Sequence, residues 1–176
     1  MASDLTPSLV VALRGGSPEA ARLLEQLYRD AMIRLAWGYL GDLDDAEDAA
    51  QEIFVKVLAA DLVPDDFRAW LYRVARNHCL NARRGRGRRR DRARLVTDAQ
   101  VSLGARGVLT HLVVGEDQVR VAERIARLSD EQQEVLRLRY AEGLSRQEIA
   151  HVVDVPESTV KSRLYEALRR LRDDLG

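Results

Sequence analysis

His78 and Cys79 stand side by side in the stretch RVARNHCLNARR, and a thiol beside an imidazole is the raw material of a nucleophile–base pair. The apolar spacing of this stretch predicts a helix, where adjacent residues point about 100° apart, so the two side chains cannot meet and Cys79 is expected to be packed. The chain offers no Walker loop and no metal-ligand spacing. The acidic run DLDDAEDAAQE lacks the glycine of an EF-hand loop, and its carboxylates fall largely within a predicted helix. These residues predict no catalytic group, no metal and no cofactor. What remains is binding chemistry.

Charge supplies it. Lys+Arg and Asp+Glu total 28 each over 176 residues, yet they are not mixed. From Arg76 to Arg94 there are nine arginines against Asp91 alone, whereas Met1 to Trp70 holds thirteen acids against six basic residues. Opposed blocks of this size predict two partners of opposite sign. Guanidinium groups in such a block could grip a phosphate backbone, gaining affinity as condensed counterions are released. Asn77 and Asn81, one helical turn apart, add amide donors and acceptors, and Trp70 and Tyr72 are aromatics within reach. Trp70 also lies on an apolar stripe and has an alternative role in the core. Arg89 to Arg94 read equally well as a solubilising or RNA-binding run.

The elements that must carry these groups are helical throughout. LVVALRGG is a short helix stopped at Gly15-Gly16. Ser17 and Pro18 then open a second, which Gly41 closes. The third begins DLDDAED, with acids at the positive end of its dipole. Phe67, Trp70, Leu71 and Val74 form the stripe of a fourth. Periodicity weakens between about Arg86 and Gly115, where four glycines fall. Helical patterns resume near Glu116. The fold class is therefore all-α: two small helical domains, 1–90 and 116–176, joined by a flexible linker over 91–115. A single cysteine, no signal-peptide pattern and no membrane-length apolar run predict a soluble, cytoplasmic protein.

The most specific pattern lies near the C-terminus. Ser145 and Glu148 form a capping box, and the short helix it opens ends at Asp154, a residue type that tolerates the left-handed backbone a tight turn needs. Val155-Pro156 leads into a long basic helix. Ala150 suits a close helix crossing, and Ile149, Val153, Val155, Val160 and Leu164 fit a shared core. This is the pattern of a helix-turn-helix. Ser158, Thr159, Lys161, Ser162, Arg163, Tyr165 and Glu166 could then face phosphates and base edges.

The stretch LSDEQQEVLRLRYAEGLSRQEIAHVVDVPESTVKSRLYEALRRL resembles the fourth domain of bacterial RNA polymerase sigma factors. DAEDAAQEIFVKVL resembles the core-binding helix of sigma domain 2, and FRAWLYRVARNHCLNARR its promoter-melting and −10-reading helices. Two such domains with a short tether are similar to the extracytoplasmic-function (ECF, group 4) type of the sigma-70 family. The resemblance spans about Leu9 to Leu171. It implies a transcription-initiation factor that binds core RNA polymerase through the clamp helices of the largest subunit and the flap. Asp45, Asp48, Gln51, Glu52 and Phe54 would make the clamp contact, with Phe54 as its apolar anchor. It also implies promoter DNA as the second partner. Trp70, Arg76, Asn77, Asn81, Arg83, Arg84, Arg86 and Arg88 would lie at −10, and Ser158, Thr159, Lys161, Ser162, Arg163, Tyr165 and Glu166 at −35. An anti-sigma factor is the implied regulator. Glu166 departs from the pattern, since relatives often carry a basic residue there; a carboxylate can accept from a cytosine amino group instead. The competing reading is a stand-alone helix-turn-helix regulator that binds duplex operators without polymerase.

Overall fold

The computed structural model describes residues 6–92 and 123–173, with side chains for residues 8–85 and 123–172. Every regular element among the described residues is helical. The chain divides at Arg92 into two units, 1–92 and 93–176.

The first unit holds α1 (Thr6–Arg14), α2 (Pro18–Leu40), α3 (Leu43–Leu58) and α4 (Phe67–Arg92). Local sequence sets the boundaries. Ser17 caps α2, its Oγ accepting the Glu19 N–H at 3.2 Å, with Pro18 at the first position where no N–H is missed. Gly41 ends the helix at φ 74°, donating its N–H to the Trp37 carbonyl at 2.8 Å. Asp42 immediately caps α3, accepting from the Asp45 N–H at 3.0 Å.

Helix α2 packs on both α3 and α4. Leu24, Met32, Leu35, Ile53, Phe67 and Leu71 are fully buried between them. Burying each such side chain contributes roughly 1.5–3 kcal/mol. The Tyr28 and Phe67 rings meet edge to face, with centroids 6.0 Å apart. Arg14 ties α1 to the loop before α4: Nε and Nη2 donate to the Val63 carbonyl at 2.8 and 2.6 Å, and Nη2 also reaches Asp65 at 2.9 Å. Helix α4 runs on to Arg92, two residues past the expected domain edge. Positions 93–115 of the expected linker lie outside the described residues.

The second unit contains a helical stretch over residues 123–126, then α5 (Asp130–Leu136), which continues into a π-helical turn (Arg137–Ala141). After it come α6 (Arg146–Val153) and α7 (Glu157–Asp173). Two capping boxes begin α5 and α6: Ser129 with Gln132, and Ser145 with Glu148. Asp154 adopts φ 59°, ψ 49°, the left-handed conformation expected at the turn. Ile149, Val152, Val153, Val160, Leu164 and Ala167 are buried where α6 and α7 meet, while Val155 is half-buried. Arg146 Nε and Glu157 Oε1, 3.3 Å apart, close the helix-turn-helix from outside.

Candidate functional site

On α3 the core takes one side and the acids take the other. Ala46, Ala49, Ala50, Ile53 and Val57 are buried, whereas Asp44, Asp48, Gln51 and Glu52 are exposed and Asp45 is half-buried. At about 100° per residue, these five and Val55 share an arc of roughly 120°. Phe54, expected to anchor this face, is only 8% exposed and packs into the core; the exposed apolar side chain on the acidic arc is Val55, at 66%.

One edge of this face is joined to α4. The Lys56 ammonium lies 2.5 Å from His78 Nδ1, and Glu52 Oε2 lies 3.7 Å from His78 Nε2. Burial, then the neighbouring Lys56, holds the imidazole below its ordinary pKa of 6.5, with Glu52 opposing. A neutral ring suits the geometry, accepting from Lys56 at Nδ1 and carrying its proton at Nε2 toward Glu52. Cys79 is fully buried, so the adjacent thiol and imidazole diverge as the helix requires.

Helix α4 arranges its polar groups in two stripes. Trp70, Asn77, Asn81 and Arg84 fall within an arc of about 60°. Asn77 and Asn81 are exposed, and Arg84 Nη1 donates to Asn81 Oδ1 at 3.5 Å. Trp70 is half-buried, its ring 5.8 Å from that of Phe67 and tilted 47°, so it belongs to core and surface at once. Arg76 and Arg83 lie on a different stripe, away from the asparagines by more than about 90°. Arg86 and Arg88 fall on α4 beyond the described side chains.

In α7, Ser158, Lys161, Ser162 and Tyr165 share one exposed face, and Tyr165 is 66% exposed. Ser162 Oγ donates to the Thr159 carbonyl at 3.0 Å, and Thr159 itself is half-buried. Arg169 and Arg172 extend this face; they continue the i+4, i+7 spacing from Tyr165, a signal the sequence reading passed over. Arg163 and Glu166 instead flank the face on the side of α5. Hydrogen bonds from its own backbone N–H and then from Ser129 hold the Glu131 carboxyl below its usual 4.5, and Arg163 adds to this. Glu166 Oε2 accepts from Gln132 Nε2 at 3.4 Å. Among the described residues no group of acids, histidines and cysteine could hold a metal, and no helix is long and apolar enough to cross a membrane.

Both halves of this arrangement match known families. The model for sigma-70 region 2 matches residues 24–89, and that for sigma-70 region 4 matches residues 118–171. The chain is 30% identical over 182 residues to the ECF RNA polymerase sigma factor SigW of Bacillus subtilis, covering 93% of this chain and 94% of SigW. The chain belongs to the sigma-70 family, as an ECF sigma factor. ECF sigma factor SigL of Mycobacterium tuberculosis is 32% identical over 166 residues, with 90% of this sigma factor and 92% of SigL covered. The fold is that of the sigma factor RpoE of Bartonella quintana, solved in complex with the anti-sigma factor NepR: TM-score 0.65 at 24% identity, covering 88% of this chain and 95% of that one. As an ECF sigma factor the protein binds core RNA polymerase and directs promoter-specific initiation. Matches at both regions disfavour a regulator that uses its helix-turn-helix alone.

Proposed function

We propose a residue-level division of labour for this sigma factor. The exposed arc of α3, with Asp45, Asp48, Gln51 and Glu52, docks on the clamp helices of the polymerase largest subunit. Val55 takes the anchoring role first assigned to Phe54. The Asn77–Asn81–Arg84 stripe of α4, with Trp70 at its edge, receives unstacked −10 bases. Unstacking costs a few kcal/mol, offset by stacking and by amide contacts to base edges. Arg76, Arg83, Arg86 and Arg88 hold phosphates around that site. In α7, Ser158, Thr159, Lys161, Ser162 and Tyr165 face the −35 major groove, with Arg163 and Glu166 at its margin. Residues 1–90 and 116–176 act as the two promoter-binding domains, tethered by 91–115, and the second also meets the flap.

The protein supplies no catalysis; the polymerase makes the RNA. It works in the cytoplasm, beside that polymerase, under an anti-sigma factor. The observation that carries the reading is the segregation of charge: acids line the exposed arc of α3, while amides and arginines line α4 and hydroxyls and cations line the exposed face of α7. Retention on immobilised core enzyme tests it. The wild-type chain should be retained at moderate salt and released by reversing the charge at Asp48; failure of the core enzyme to retain the wild type would refute it.

A further inference from the structure

Gln132 is 5% exposed, at the third position of α5. Both ends of its amide are used. The oxygen accepts from the Ser129 N–H at 3.3 Å, while Ser129 Oγ accepts from the Gln132 N–H at 3.3 Å. That reciprocal cap determines which end of the amide faces the helix start. The NH2 group is thereby turned toward α7, where it donates to Glu166 Oε2 at 3.4 Å. Gln132 lies 34 residues from Glu166 in sequence, so this contact exists only in the folded unit.

We propose that Gln132 is a positioning residue for promoter choice: by holding Glu166 Oε2, it fixes the carboxylate so that Oε1 accepts from a base-edge amino group at −35, favouring cytosine. The inference rests on the −35 assignment of α7. A glutamate on an exposed helix flank otherwise samples many rotamers, and ordering it beforehand lowers the entropy cost of making the base contact. Cytosine presents only an amino donor in the major groove, which matches a carboxylate that can only accept.

Holoenzyme assembled from core enzyme and the full chain is used to select from a promoter library randomised at −35. Four variants are compared with wild type: E166A, Q132E, the double variant, and K161A. Glutamate at 132 retains the capping box, because its carboxylate still accepts from the Ser129 N–H, but it offers Glu166 no donor. Q132M, similar in shape and lacking both polar ends, provides a second test if Q132E melts early. The expected result is a loss of preference at one shared position in E166A and Q132E, of roughly fivefold or more. The double variant should match E166A alone. An effect of E166A that neither Gln132 variant reproduces overturns the positioning role while leaving α7 at −35. Silence of E166A alongside a shift in K161A also overturns it. Silence of all the variants removes α7 from −35 altogether.

Discussion

Three cations on the exposed face of α7, Lys161, Arg169 and Arg172, can be removed together without touching the core. If each neutralises one phosphate, the wild-type holoenzyme loses about 0.9 more per cation in the slope of log affinity against log salt than a variant lacking it. For K161A/R169A/R172A the slope should therefore flatten by about 2.7. Between 50 and 200 mM salt, that difference amounts to about 40-fold in relative affinity. Exposed substitutions change stability by about 0.5 kcal/mol or less each, so the variant should fold normally. The assay is equilibrium binding of holoenzyme to a labelled double-stranded promoter across that salt range, with thermal melting of the free variant as a control. A folded variant whose slope equals that of wild type would show that this face of α7 does not lie on the DNA backbone.

Replacing Asn77 and Asn81 with alanine should slow open-complex formation, read by permanganate reactivity of the −10 thymines, with core affinity unchanged; loss of core affinity would refute their placement at −10. Asp48→Arg should weaken core binding at least tenfold, measured by competition for core enzyme, because it places a cation at the centre of the acidic arc; long charge reversals at complementary surfaces commonly cost this much or more. His78 predicts a pH dependence of stability. Its folded-state pKa is depressed, so its contribution is fully present above the ordinary imidazole value of 6.5 and is lost as pH falls from there through the lower folded value. Urea denaturation of wild type and H78Q should thus converge in midpoint difference on acidification, and a pH-independent difference would contradict the assignment.

Much of the fold could be read from local chemistry. Ser17 with Pro18, Gly41, the Ser145–Glu148 box and Asp154 are signals confined to a few neighbouring residues, and each produced the turn or cap its residue type favours. Ser129 with Gln132 is a signal of the same kind that went unread. Phe54 came to the clamp contact through the family resemblance, as an apolar residue beside the acids, without regard to helical phase. The helical phase places it about 120° from Asp48, against the core, and Val55 about 20° away. The π-helical turn at Arg137–Ala141 has no counterpart in a 3.6-residue pattern, since its extra residue per turn shifts the phase without a Gly or Pro to mark it. Helix α4 outlasted its apolar stripe because a charged helix can continue past the residues that pack it. Contacts such as Gln132 to Glu166, and Lys56 to His78, join distant positions and leave no trace in local spacing.

The central claim is that acids on α3 hold the polymerase while α4 and α7 hold the promoter. Run-off transcription tests it most directly: sigma-free core enzyme, the purified chain, and fragmented double-stranded genomic DNA, with RNA 5′ ends sequenced. Starts should cluster downstream of a shared pair of −35 and −10 sequences, and they should vanish with Asp48→Arg. Transcripts that begin at the same scattered positions with and without the chain would contradict it.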